Sequence, residues 1–116
     1  MGLGYATSNR GAHHTDSFSY VYESKASDPS LGILEPLDRL ASQGKGKFVA
    51  TLQNFMALCD SLKICKFAVF GIQARDLYRW LNWITGWNIS FEEFLKIGER
   101  IFIFLGFNKK NRQFRL

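Results

Sequence analysis

Two residues in the stretch CDSLKICKFAVFG (Cys59–Gly71) could do chemistry that a buried apolar segment does not need: Asp60 and Cys65. An ionised carboxylate in an apolar setting is costly unless hydrogen bonds satisfy it. Asp60 therefore has two readings. Either a helix ends near Leu58 and Asp60 sits in a solvated turn, or its two oxygens accept hydrogen bonds from a buried polar ligand such as an amino-heterocycle. Cys59 and Cys65 are six residues apart, which on a helix separates them by about 240°. They cannot chelate one metal from the same face, and there is no CxxC. Cysteines so placed are ordinarily small core hydrophobes, and an iron–sulfur cluster needs about four thiolates. His13 and His14 stand in a Gly-rich loop after Arg10. Neighbours on an extended segment point to opposite sides, which argues against a joint metal site. One imidazole titrating near neutrality could still move a proton, although a solvent-exposed loop residue is the plainer reading. Trp80, Trp83 and Trp87 recur at steps of three and four. That spacing suits a core or an interface, and exposure of Trp83 or Trp87 would mean a missing partner.

The elements that must position these residues are helical. Phe48, Val49, Leu52, Phe55, Met56 and Cys59 mark one face of an amphipathic helix, predicted over residues 47–62. Gly71 closes the apolar segment that follows. Leu77, Trp80, Leu81 and Ile84 continue a helical stripe, with Gly86 as its C-terminal cap. Ser90-Phe91-Glu92-Glu93 reads as a capping box that opens another helix, whose buried stripe is Phe94, Leu95, Ile97, Ile101 and Phe102. Residues 33–40 form a short helix or a turn. Residues 1–32 carry no sustained apolar period, and Asp28-Pro29 and Gly32 mark turns. The Phe18–Tyr22 segment could pair as a strand or cover a core edge. The expected fold class is all-α, an irregular helical domain of three to five helices with a loop-rich N-terminal third. Its divisions are residues 1–32, weakly anchored unless something packs on them, a helical domain at 33–108, and a basic tail at 109–116.

With 116 residues and 47% hydrophobic content, the chain suits one globular domain rather than a disordered one. The formal net charge is +5, but four of the cations, Lys109, Lys110, Arg112 and Arg115, fall in the acid-free tail. Basic character therefore belongs to the tail rather than to a binding face, which argues against nucleic acid as a partner. The longest clean apolar run, Ile101–Leu105, is far short of the ~20 residues of a membrane span. No basic segment followed by an apolar core opens the sequence, so a cytoplasmic, reducing location is expected, without a structural disulfide.

Three stretches together resemble the C-terminal part of the tungsten-containing aldehyde ferredoxin oxidoreductase family. GLGYATSNRGAHH (Gly2–His14) is similar to that family's Tyr-Ala-Thr-Ser-x-Arg-Gly-Ala-Cys-His loop. DSLKICKFAVFG resembles its Asp-x-x-Gly-Leu-Cys motif followed by Lys-Phe, and ITGWNISFEEFLKIGERI its last helical hairpin. The resemblance implies that Asp60 hydrogen-bonds the pterin of a tungsten (or molybdenum) bis-pterin cofactor, with Ile64 in the neighbouring Leu position. It implies that Cys65 is the fourth thiolate of a [4Fe–4S] cluster, and that His14 lies near the metal as a proton donor. The implied reaction is oxidation of aldehydes to carboxylates, with electrons leaving through the cluster to ferredoxin.

Two departures stand out: Lys63 occupies the position where the family favours Gly, and His13 replaces the loop's Cys. The pterin-binding domain and the other three cluster cysteines are expected outside this sequence. The chain alone is then expected to bind no cofactor and to be inactive without a chain that supplies them. A second reading from another class is a small helical interaction module without redox function, binding through the aromatic face or the basic tail.

Overall fold

The computed structural model describes residues 1–113, with side chains described to residue 108. Its helices are α1 (Gly2–Thr7), α2 (Ser19–Tyr22), α3 (Lys45–Ser61), α4 (Ala74–Thr85) and α5 (Phe91–Gln113), with 3₁₀ turns at Pro29–Leu31 and Lys66–Phe70. No strand occurs among the described residues, and the fold is all-α as expected. Helix α5 runs past the division expected at residue 108, and the charged side chains of 109–116 lie outside the described residues.

Helix α3 is the centre of the molecule. The apolar period predicted one buried face, but Gln53, Ala57 and Leu58 are buried as well as Val49, Leu52, Phe55, Met56 and Cys59. Elements on opposite sides of α3 account for this. On one side α5 approaches closely through Gly98, where an added Cβ would lie 2.4 Å from the Asn54 carbonyl oxygen and 2.9 Å from Leu58 Cγ. Only glycine allows that separation of the two backbones. On the other side α1 docks through Gln53, whose Nε2 donates to Thr7 Oγ1 at 2.9 Å and to the Gly4 carbonyl at 3.4 Å.

The N-terminal third is anchored because α3 packs on it, the condition the sequence left open. Phe18, Val21 and Tyr22 are fully buried in the same core as Leu52, Phe55 and Phe94. The segment forms one helical turn that covers the core edge rather than a strand. Buried ion pairing and capping hold it further. Glu23 receives Lys45 Nζ at 2.6 Å. The buried Asp28 carboxylate accepts the Ser30 N–H at 3.0 Å and, across the chain, the Ala74 N–H at 2.7 Å. Asp28 thus caps the first turn of α4 from 46 residues away, a contact that no local pattern could announce.

The predicted cap residues are in place. Gly86 ends α4 at φ 71°, and Ser90 Oγ accepts the Glu93 N–H at 3.1 Å. Glu93 does not complete the box; its carboxylate pairs with Arg100 at 2.8 Å. A reciprocal bond forms instead at the start of α4, where Asp76 Oδ2 accepts the Gln73 N–H at 2.9 Å. Residues 33–40 make turns without a helix. The stripe read along α4 is buried only at its start. Leu77 is enclosed and Leu81 half-buried, but Trp80 is exposed and Ile84 is 85% exposed. Tyr78, in the first half of α4, packs on Phe91 and Phe94 with ring centroids 5.4 and 6.0 Å away. The second half extends beyond that contact.

Candidate functional site at the C-terminal end of helix α3

Asp60 lies on the last turn of α3, which runs to Ser61, so the helix does not stop at Leu58. A carboxylate there faces the negative end of the helix dipole and needs compensating cations. Arg10 Nη2 stands 3.1 Å and Lys66 Nζ 3.0 Å from the same oxygen, Asp60 Oδ2. No side-chain hydrogen bond to Asp60 occurs among the described residues, and its carboxylate is 40% exposed. Arg10 also bridges to Asp16, with Nε and Nη2 at 3.1 and 2.5 Å from Oδ1. Ser8 Oγ donates to Asp16 Oδ2. Burial by itself would raise the Asp16 carboxyl, but the hydrogen bonds from Arg10 and Ser8 and the charges of Arg10 and Lys66 outweigh it and hold it below its ordinary value. The Asp16 hydrogen bond in turn raises the Arg10 guanidinium. Lys66 Nζ is buried, at ion-pair distance from Asp60 yet without hydrogen-bond geometry to any partner. Its role is that of a point charge.

This network joins two distant stretches of sequence, the loop after α1 and the end of α3. Around it Asn9, Gln53, Met56 and Phe102 close a crevice of about 10 Å³, space for one water at most. Asn9 Nδ2 reaches the Phe102 carbonyl on α5 at 3.4 Å. The network was not predicted, because Arg10, Asp16 and Lys66 are unremarkable singly and meet only through the fold.

The turn leaving α3 explains Lys63. The Ile64 N–H donates to the Cys59 carbonyl at 2.9 Å and the Lys63 N–H to that of Asp60 at 3.2 Å, the two bonds of a Schellman cap. That cap requires a left-handed residue, and Lys63 adopts φ 59°. Glycine would do so without the penalty a side chain carries. The cap turns Ile64 half-buried against the core and presents Cys65 as an exposed thiol at the head of the 3₁₀ turn Lys66–Phe70. Cys59 is fully buried, and burial, reinforced by the Asp60 charge, pushes its thiol up to about 12. Cys59 is packing, as read from its spacing, and remains protonated.

His14 is exposed. Its ring stacks on His13, centroids 5.3 Å apart, so the two imidazoles do not diverge as an extended segment would place them. His13 is the one engaged with the network, with Nδ1 at 2.8 Å from Thr15 Oγ1 and 3.5 Å from Asp16 Oδ1. No hydrogen bond joins His14 to Asp60 or Cys65 among the described residues.

Comparison with known proteins now bears on this arrangement. The family described as "Aldehyde ferredoxin oxidoreductase, domains 2 & 3" matches residues 1–104. The chain belongs to the aldehyde ferredoxin oxidoreductase family. It is similar to the tungsten-containing aldehyde ferredoxin oxidoreductases of Pyrococcus abyssi (41% identical) and of Pyrococcus furiosus and Thermococcus kodakarensis (each 40% identical), in each case over 103 residues. Those alignments cover 86% of this chain and 16% of each relative, so the chain spans about a sixth of the length of the curated relatives it matches. No solved structure matches the chain.

The donor set can be tested against what an oxidoreductase of this family would place here. Cys65 offers one accessible sulfur, and five residues before it Asp60 offers a partly exposed carboxylate on the last turn of α3. Both suit an edge contact to a larger group. Among the described residues no group of three or more His, Cys, Asp or Glu is arranged to hold a metal ion. One thiol and one carboxylate would fit a single cluster ligand and a single acceptor for a heterocycle. No described helix is long and apolar enough to cross a membrane.

Proposed function

We propose that this chain forms the C-terminal edge of a cytoplasmic aldehyde ferredoxin oxidoreductase that converts aldehydes to carboxylates and passes the electrons to ferredoxin. The observation that carries this reading is the Schellman turn at the end of α3. It follows Asp60 on the last turn of α3 and leads to the exposed Cys65 five residues on, in the order of the family's Asp-x-x-Gly-Leu-Cys motif. The Asp60 carboxylate would accept hydrogen bonds from the amino-heterocycle of a tungsten or molybdenum bis-pterin. Ile64 lies beside it, and Cys65 supplies one of the ~4 thiolates of a [4Fe–4S] cluster. When bound, these groups supply the two-electron oxidation at the metal and one-electron relay through the cluster. Arg10 and Lys66 stand at ion-pair distance from Asp60 and hold the carboxylate in place. His14 is the proton donor of the same reading, on a loop that Arg10 and Asp16 anchor. With two cysteines here and one of them buried, this region supplies one cluster ligand, and cluster binding and activity need the family's pterin domain as well.

A chimera tests this without depending on how tightly separate chains associate. Residues 1–104 replace the matched region of the Pyrococcus furiosus relative, and iron content, cluster EPR and aldehyde oxidation are measured. The parent chimera should hold a cluster. Cys65→Ser should lose or convert it, and Asp60→Ala should reduce pterin retention and activity at least tenfold while the cluster stays. A Cys65→Ser chimera with an unchanged cluster would sink the assignment. The exposed tryptophans of α4 favour a second reading, an interaction module without redox function, and that reading gains if both variants leave a purified complex unaltered.

A further inference from the structure

Lys66 is nine-tenths buried, and it directly follows the exposed Cys65. A lysine next to exposed backbone ordinarily lays its stem along the surface and keeps its ammonium in water. Here the ammonium goes inward, which is costly without counter-charges. Two carboxylates supply them: Nζ stands 3.0 Å from Asp60 Oδ2 and 3.7 Å from Asp16 Oδ1. Arg10 is shared between the same carboxylates, so two cations meet two anions, and loss of Lys66 would leave one anion in excess. Nζ has no hydrogen-bond geometry to any described partner. Attraction of charge rather than a directed bond therefore holds it.

The backbone converts that inward pull into an orientation for the thiol. Cys65 is extended, at φ −60° and ψ 124°, and along extended backbone successive side chains point to opposite sides. Ile64 is half-buried, Cys65 exposed and Lys66 buried, the alternation this geometry requires. With Lys66 drawn to Asp60, Cys65 faces outward. An exposed thiol gains little from packing of its own, so its direction depends on what fixes the backbone on either side. Before it, the Schellman turn does so through the Ile64 N–H, which donates to the Cys59 carbonyl at 2.9 Å. After it, the Ala68 N–H closes the 3₁₀ turn onto the Cys65 carbonyl, also at 2.9 Å. Lys66 lies inside that second loop, and Val69 is the other buried residue of the turn. Val69 can press the turn against the core, but only the charge of Lys66 registers it on Asp60.

We infer that Lys66 is a positioning residue for Cys65: its ammonium, held between Asp60 and Asp16, ties the thiol turn to the end of α3 and fixes the sulfur relative to the Asp60 carboxylate. The inference rests on the functional reading above for what the thiol is positioned to hold, whereas the anchor itself is a property of this chain. Lys66→Met keeps the length and the buried stem and removes the charge. In the full 116-residue chain, it should accelerate amide exchange at Ala68 at least about tenfold, while the Leu52 and Phe55 amides of α3 keep the parent's rates. Lys66→Arg, which retains the charge, should restore most of the Ala68 protection. In the chimera carrying residues 1–104, Lys66→Met should leave part of the bound iron as a three-iron cluster by EPR, and Lys66→Arg should return it to the four-iron form. Parent exchange at Ala68 in Lys66→Met overturns the inference. So does acceleration spread equally over α3, which would make Lys66 a prop of the whole fold. Should Lys66→Met not fold, Asp60→Asn removes the nearest counter-charge from a part-exposed position and should accelerate Ala68 just as selectively. An unchanged rate in that variant, or its failure to fold, overturns the inference equally. The functional reading fails separately. A parent chimera without a cluster condemns that reading, while Ala68 exchange in the isolated chain still decides the anchor.

Discussion

The two edges of the molecule solve opposite problems. At the end of α3, the charges are answered from within the chain: Arg10 and Lys66 face Asp60 and Asp16, and Ser8 completes Asp16. At the second half of α4 the aromatic surface is left unanswered. The difference follows from what each kind of group tolerates. A buried carboxylate without a partner costs enough to endanger the fold, so the polar edge has to be satisfied locally. Exposed tryptophans cost the isolated chain little, so their burial can wait for a partner. The polar edge is satisfied within the chain, and the apolar edge is not.

The sharpest way to break that contrast is to truncate aromatics at the two kinds of position. Phe94→Ala empties a fully buried site beside Tyr78 and Phe91 and should cost about 3–5 kcal/mol in urea unfolding. Trp83→Ala on the neighbouring helix should stay within roughly 0.5 kcal/mol in the isolated chain. A large loss for Trp83→Ala would mean that the α4 face is already part of the folded core.

The polar edge is tested by Arg10→Ala, which strips the buried Asp16 of its main partner and should destabilise by about 1–3 kcal/mol. The pH dependence has a definite sign. Asp16 titrates lower in the folded chain than its ordinary value, so its stabilisation is present above the unfolded value of about 4 and is lost as pH falls through the folded value. Melting temperature followed downward from pH 6 should drop most steeply below about pH 4, and Asp16→Asn should flatten that drop. An unchanged profile in Asp16→Asn would remove the network from the account of stability.

The smallest effect is expected at the turn between the edges. Lys63→Gly relieves a left-handed side-chain residue and should stabilise by about 1 kcal/mol, seen as a rise in the urea midpoint at constant slope. Destabilisation would show that the Lys63 side chain contributes more than its backbone strain costs.

Much of the scaffold was legible because its causes are local. The three- and four-residue spacing along Phe48–Cys59 specifies a helix, and Gly86 and Ser90 mark termini through their own backbone and hydroxyl chemistry. Even the oddity of Lys63 could be read in advance as a glycine position. What stayed hidden depends on residues far apart in the chain. Asp28 capping α4, Gly98 admitting α5 against α3, and Lys66 and Arg10 meeting at Asp60 all require the helices to be packed first.

The sequence by itself determined an all-α chain with the family's motifs in order, and which thiol and which carboxylate carry interest. Tertiary structure decided their states. It buried Cys59 as a protonated packing residue, exposed Cys65, and brought Arg10 and Lys66 to Asp60. It also left Trp83 and Ile84 in solvent. Periodicity depends on neighbours three and four residues away, whereas burial and charge compensation depend on what the rest of the chain brings to the same place.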